Sequence, residues 1–387
     1  MALDAESEAI GSLLLDRGAL TAEQLDAAED LAEDWNVSLV KVLLSRRWLT
    51  TQTLYREIAF YHGLTLVDLI EDRADDDLIR QYDPVVMNQF MTVPIGRAED
   101  GTLTVATSRP GPRTLLHIRE VYGTGVTIVV ASHFDVSWQL QRAFREKHSH
   151  EAVFALAELD PDMSAQNVVT PPQILVIYLL GSALLLGLAF SPVVTLIVLN
   201  VFLTIFYTGN FLFKALLVWL GGAAQETSSR AIAAEASLLR DEDLPIYTVL
   251  VPMFREPEVL PILAQALRNL DYPLAKLDIK IVLEEGDHET IDAARKLDLE
   301  GVFEIIRVPA SHPQTKPKAC NFALRYAQGD FLVIFDAEDK PEPDQLKKVI
   351  AAFNQSAPNT ACIQCRLNYY NARENWLTRM FTLDYSL

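Results

Sequence analysis

Cysteine is scarce in this chain: Cys320, Cys362 and Cys365 are the only three in 387 residues. That excludes a disulfide-stapled scaffold and suits a reducing compartment. Basic residues are also few, 33 against 52 acids, for a formal charge of −19. A nucleic-acid partner needs a basic face to meet phosphates, so none is expected. No secretory leader is expected either, because "MALDAESEAI" is acidic and no apolar stretch follows a basic one.

Charge itself vanishes between Gln173 and Phe213, where there is no Asp, Glu, Lys or Arg. One membrane span takes about 20 apolar residues, so the run suits two. Pro192 breaks or restarts a helix, which puts the turn at Phe190-Ser191-Pro192. Two transmembrane helices are expected over 173–221, with a buried soluble hairpin as the alternative. Lys214 can snorkel to the interface and Trp219 suits the aromatic belt. Arg142, Arg145 and Lys147 before the hairpin and Arg230 after it imply that both flanks are cytoplasmic. The expected place is a bacterial inner membrane, with N- and C-terminal domains in the cytoplasm.

Half of the chain is apolar, which permits real cores in two or three domains. Residues 1–150 begin with an internal echo. "IGSLLLDRGALTAEQL" (10–25) returns 29 residues later as "LVKVLLSRRWLTTQTL". Each copy has an apolar helix, a turn, and a Thr (Thr21, Thr50) placed to N-cap the next helix. A strand (64–69), a helix (75–90), two strands joined at Glu99-Asp100-Gly101, a helix (113–122), a strand (125–131) and a helix from near Ser132 follow. No nucleophile–base pair and no metal-ligand spacing occurs here, so the region reads as regulatory or docking. Residues 151–172 read as a linker and 222–243 as a polar, Ala-rich connector.

Residues 244–387 alternate strand and helix. Strands are expected at 246–254, 277–287, 302–309, 331–336 and 360–367, with helices at 256–270, 288–299, 318–329 and 343–355. This pattern implies a doubly wound parallel sheet, whose ligands sit at the carboxyl ends of its strands. Glu284 and Glu285 fall at one such end, and Asp336, Glu338 and Asp339 at another. Carboxylates gathered there repel unless a cation neutralises them. Mg²⁺ or Mn²⁺ commonly takes one or two carboxylates plus substrate phosphates. The rim therefore reads as a metal–diphosphate site, with a solvated acidic turn as the plain alternative. Cys362 and Cys365, on the expected fifth strand, read as packing residues.

Five motifs, "VPMFRE" (251–256), "VLEEGD" (282–287), "KPKACN" (316–321), "FDAED" (335–339) and "IQCRLNYYN" (363–371), occur in the order found in processive family-2 glycosyltransferases. Over residues 245–375 the chain resembles these membrane synthases of cellulose and other exopolysaccharides. The resemblance implies a GT-A fold, a nucleotide-diphospho-sugar donor, most simply a UDP-sugar, a glycan acceptor and a lipid setting. It places Pro252, Phe254 and Glu256 at the nucleotide, with Phe254 in place of the usual Tyr. Glu284 and Glu285 stand where an Asp pair holds base or ribose. Lys318 would meet the diphosphate, Gln364 and Arg366 the donor sugar. Asp336 and Glu338 match the Asp-x-Asp metal motif, with Asp339 a helper.

The family's acceptor-side base motif and its Gln-x-x-Arg-Trp segment are not found. The expectation is a GT-A domain incomplete at its C-terminus, able to bind donor but with the catalytic base unknown and little transfer on its own. The scaffold alternative is a non-catalytic membrane protein that docks or regulates. Over residues 5–145 the element order resembles the N-terminal domain of type II secretion and pilus assembly ATPases. Some of those bind cyclic di-GMP through tandem repeats opening on Arg-Leu-Gly. Here the openings are Ala9-Ile10-Gly11 and Ser38-Leu39-Val40, and Arg47 stands opposite Gly18. Weak or no cyclic di-GMP binding, or a protein partner, is the expectation.

Overall fold

The computed structural model describes residues 5–69, 74–166, 168–297, 302–365 and 374–380. Two compact units form, one from Met1–Ala155 with Arg240–Pro343, the other from Leu156–Leu239 with Asp344–Leu387.

The first unit opens with the repeated helix pairs, α1 (Ala5–Asp16) with α2 (Ala22–Trp35) and α3 (Leu39–Ser45) with α4 (Thr51–Tyr61). Thr21 and Gln24 form a reciprocal capping box at α2, and the Thr50 hydroxyl accepts from Thr53 N at α4. Gly18 and Arg47, at matching positions, have φ of 67° and 55°. The two copies therefore share one left-handed turn, adopted by glycine in the first and by arginine in the second. Leu14, Leu39, Leu43 and Leu54 are buried at the heart of this bundle.

A mixed sheet follows: β1 (Thr65–Leu66), β2 (Thr92–Arg97), β3 (Leu103–Thr107) and β4 (Thr127–Val130), in order β1-β4-β3-β2. The helix expected over 75–90 is two short ones, α5 (Asp76–Ile79) and α6 (Pro84–Phe90). Pro84 cannot continue a helix but starts one well, and Asp83 caps it. After α7 (Pro112–Tyr122) come α8 (His133–Ala143) and α9 (Arg145–Leu159). The stretch read as a linker from 151 is thus helical to Leu159, and Ala152 is buried.

The transferase-like part is a parallel sheet of β5 (Tyr247–Met253), β6 (Leu277–Glu284), β7 (Phe303–Val308) and β8 (Phe331–Ile334), ordered β7-β6-β5-β8. Its helices in the first unit are α12 (Leu260–Arg268), α13 (His288–Lys296) and α14 (Lys316–Leu324). Leu250, Val282, Ile306, Val308 and Phe322 share one buried cluster, and Ala152 of α9 belongs to it. Polar groups hold the same seam. Lys280, fully buried, pairs with Asp278 at 2.8 Å and with Glu304. Glu304 also accepts from Ser137 Oγ of α8 at 2.5 Å. His148 Nδ1 lies 3.0 Å from Tyr326 Oη, and Arg325 pairs with Glu151 at 2.5 Å.

In the second unit α10 (Pro171–Phe190) and α11 (Pro192–Ala236) form the apolar hairpin. The Cβ of any residue at Gly187 would come 2.7 Å from Thr195 Oγ1, so glycine is what lets the helices close near Ser191. Pro171–Phe190 and Pro192–Leu217 are long and apolar enough to cross a membrane. The connector expected over 222–243 is, to Ala236, the continuation of α11. Helix α15 (Gln345–Gln355) follows. The fifth strand expected at 360–367 does not form over 360–365. Ala361, Cys362, Gln364 and Cys365 are exposed, so this segment buries no face that would reward pairing.

Candidate functional site

The sheet order makes a topological switch between β5 and β8: the chain moves from β5 outward to β7, then returns to the other side of β5. Ligands of open α/β sheets lie beyond the carboxyl ends at such a point. The register sets what lies there. Met253 pairs with Leu283, so Phe254 and Glu284 follow together. Leu250 pairs with Ile334, so Asp336 lies two residues past the last pair.

The loop after β5 is held by Asp287. Its carboxylate accepts from Arg255 N at 2.6 Å and from Thr290 N at 3.2 Å. Arg255 has φ 57°, a left-handed value costly for a side chain, and the Asp287 bond fixes it there. Glu256 N donates to Thr290 Oγ1 at 3.2 Å. Phe254 is half exposed at the rim, with the Arg255 guanidinium 5.0 Å from its ring centroid. Pro252 is part of β5 itself and pairs with Val282.

Glu284 ends β6 and is buried, which raises its carboxyl above the usual range, while Lys318 pulls it back. Its Oε1 lies 3.4 Å from Lys318 Nζ. Its Oε2 is buried and has no hydrogen-bond partner among the described residues. Glu285 is half exposed and pairs with Arg145 at 3.5 Å. Lys318 is itself buried and donates to Pro309 O, Ser311 O and Ser311 Oγ at 3.2, 3.0 and 3.3 Å. It therefore braces Glu284 and the loop before α14.

The acidic turn closes on itself: Asp336 N donates to Asp339 Oδ2 at 2.8 Å, and Asp339 N to Asp336 O at 3.0 Å. Asp336 is half exposed and carries the Lys316 ammonium as its ion-pair partner. Asp339 is raised by burial and then by the Glu338 charge. Glu256 is raised by burial, then by Glu338 and Asp287. These directions put the β5 loop and the acidic turn within electrostatic reach of each other.

After burial, the Glu338 charge is the next cause that raises Glu256 and Asp339, and Asp336 already attracts a cationic side chain, so the acidic turn offers carboxylate oxygens compatible with a divalent cation. Among the described residues no three His, Cys, Asp or Glu side chains form a ready cage. Mg²⁺ held by one or two carboxylates and substrate phosphates does not need one.

Of the residues expected at the site, Phe254, Glu256, Glu284, Glu285, Lys318, Asp336, Glu338 and Asp339 lie at these strand ends or at the start of α14. Gln364 is exposed and belongs to the second unit. Arg366 lies outside the described residues. Sequence reasoning missed three contributors. Lys316 stands at the rim where Lys318 is tucked beneath it, and Asp287 and Thr290 shape the β5 loop. The double Lys of "KPK" and the Asp that opens α13 were the signals available.

Residues 62–150 match the MshEN domain, and residues 248–386 match glycosyl transferase family 2. Glucomannan 4-beta-mannosyltransferase 2 of Arabidopsis thaliana is 30% identical over 157 residues, 38% of this chain and 29% of that protein. Beta-monoglucosyldiacylglycerol synthase of Trichormus variabilis is 28% identical over 145 residues, 37% of this chain and 31% of its own length. The solved structure of MshE with cdg aligns at 24% identity and TM-score 0.32, covering 35% of this chain and 97% of that one. The chain thus spans less than a third of the length of these two curated relatives. With the two domain models matched in order along one polypeptide, the chain carries a glycosyltransferase family 2 domain behind an MshEN domain.

Proposed function

We propose that this chain is the donor-binding part of a membrane-anchored glycosyltransferase that uses a nucleotide-diphospho-sugar, in the first instance a UDP-sugar, for exopolysaccharide or cell-surface glycan synthesis. The observation that carries this reading is the buried Glu284 at the end of β6, whose Oε2 has no hydrogen-bond partner among the described residues. A nucleoside supplies the N–H or O–H that such an oxygen needs. Phe254, half exposed beside it in register, offers a flat apolar surface to a base. Asp336, Glu338 and Asp339 are the residues that would hold Mg²⁺ or Mn²⁺, which when bound stabilises charge on a leaving diphosphate. Lys316 is placed to exchange Asp336 for a phosphate as donor and cation enter. Lys318 orients Glu284 and opposes the rise that burial gives its carboxyl.

Helices α10 and α11 anchor the chain by spanning the bilayer, and both flanks lie on the cytoplasmic side, where nucleotide sugars are found. The N-terminal domain docks. Its Arg17, the candidate to stand in for the absent Arg-Leu-Gly arginines, is engaged by Glu57 at 3.2 Å and lies 3.8 Å over Phe60.

Calorimetry of the detergent-solubilised chain with UDP-glucose tests the reading. Binding is expected with Mg²⁺ or Mn²⁺ and not with chelator, and Asp336→Asn is expected to remove that dependence. Equal affinity with and without chelator would overturn it.

A further inference from the structure

Helix α9 belongs to the N-terminal part of the chain, yet one of its faces reaches the transferase site. Arg145, His148, Ser149 and Ala152 recur at helical spacing, and each meets the transferase sheet or its loops. The contacts differ in kind. Ala152 packs in the core, and Asn321 Nδ2 donates to its carbonyl at 3.0 Å. Ser149 does something else. Its Oγ lies 2.6 Å from Ser311 Oγ. Ser311 in turn accepts from the Lys318 ammonium at both its hydroxyl and its carbonyl. Lys318 then meets Glu284 Oε1 at 3.4 Å. A continuous polar chain thus runs from Ser149 through Ser311 and Lys318 to Glu284, a buried rim carboxylate whose second oxygen has no partner among the described residues.

We infer that Ser149 is a positioning residue for donor binding: the N-terminal part of the chain completes the transferase site by fixing the loop that aims Lys318 at Glu284. This rests on the donor-site reading of Glu284. The proton directions are consistent along the chain. Lys318 has only protons to give, so Ser311 Oγ accepts from it, and the Ser311 hydroxyl still has a proton and a second lone pair with which to bond Ser149 Oγ in either direction. Removing the Ser149 hydroxyl takes that bond away and frees the half-buried Ser311 to rotate. Lys318 then loses a fixed acceptor, and Glu284 loses the fixed position of its cation. Arg145 is a weaker link. Its pair with Glu285 is half exposed on both sides, and such pairs contribute little.

The test uses the whole chain in detergent with UDP and Mg²⁺ as probe, comparing Ser149→Ala, Ser149→Thr and Ser311→Ala. Ser137→Ala is the control, since Ser137 is an α8 hydroxyl in the same seam that bonds Glu304 and not the Lys318 loop. Loss of one hydrogen bond that positions a charge predicts UDP binding weaker by about threefold to tenfold in Ser149→Ala and Ser311→Ala. Ser149→Thr keeps the hydroxyl and is expected to bind as wild type, as is Ser137→Ala. Hydrogen exchange at residues 310–315 without nucleotide gives a second readout, expected to rise in Ser149→Ala and Ser311→Ala and to stay at the wild-type level in Ser149→Thr and Ser137→Ala. Wild-type affinity in both Ser149→Ala and Ser311→Ala overturns the inference, as does equal weakening in Ser137→Ala. A wild-type chain that binds no UDP overturns the donor reading first, and the inference with it.

Discussion

Acidification should loosen the contact between α9 and α14 through His148. This imidazole is buried, lies 3.0 Å from Tyr326 Oη and stacks near Phe144 and Phe322. Its pKa is pushed down from 6.5 to about 4, by burial first and then by the Arg325 charge. Glu151 opposes the shift and Lys147 adds to it. Burial also raises the Tyr326 phenol, so the neutral phenol and neutral ring share one hydrogen bond whose direction follows the imidazole tautomer. A base whose folded pKa is depressed binds its proton more readily when unfolded. Stability therefore falls as pH drops below about 6.5 and levels off near about 4. Between about pH 7 and about pH 5 the loss from this one group is about 2 kcal/mol. For a unit of this size that is about 4–8 °C in thermal midpoint. The assay is the midpoint of wild type and His148→Gln at both pH values in one detergent. His133, also pushed down to about 4 by burial, is present in both proteins and cancels in the comparison. Wild type should drop further than His148→Gln by that margin. Equal drops in the two proteins would refute the assignment of the proton to His148.

Glu304→Ala leaves the Lys280 ammonium buried with Asp278 alone, and should cost about 3–5 kcal/mol by denaturation; a change below about 1 kcal/mol would contradict the buried-pair account. Arg47→Gly relieves a left-handed turn and should stabilise by about 1 kcal/mol, and a lower melting midpoint would count against that. Cyclic di-GMP should bind the chain weakly, because Ala9 and Ser38 replace arginines whose charged hydrogen bonds contribute about 1.5–3 kcal/mol each; a titration giving submicromolar affinity would show that other donors serve.

The parts legible in the sequence were those with local signatures. Thr21 and Thr50 marked the repeated helix starts because a hydroxyl before an apolar run has one strong use. The β5, β6 and β8 strands were plain from short apolar runs, and the acids following them marked the carboxyl rim. What stayed hidden depends on distant partners. The contact face of α9 is Arg, His, Ser and Ala, so it has no apolar stripe, and the segment from 151 read as a linker. The resemblance assigns the rim lysine to Lys318, the Lys that precedes Ala319 and Cys320 in its motif. Pro317 at the start of α14 instead leaves Lys316 outside and Lys318 beneath. Residues 360–367 alternate like a strand, but alternation cannot supply the neighbour that a strand requires.

Helix α11 runs unbroken for 45 residues, from Pro192 to Ala236. At about 1.5 Å per residue that is about 68 Å, more than twice a hydrocarbon core of about 30 Å. Its apolar part ends near Leu217, so the proposed anchor continues as a stiff rod of about 28 Å beyond the membrane. At the far end, Glu235 accepts from Asn354 and Gln355 of α15. A tilt of about 20°, ordinary for a spanning helix, would swing that end by about 10 Å. A mismatch between span and bilayer thickness is met partly by tilting, so in the proposed anchor this rod is the lever by which bilayer thickness would reach α15.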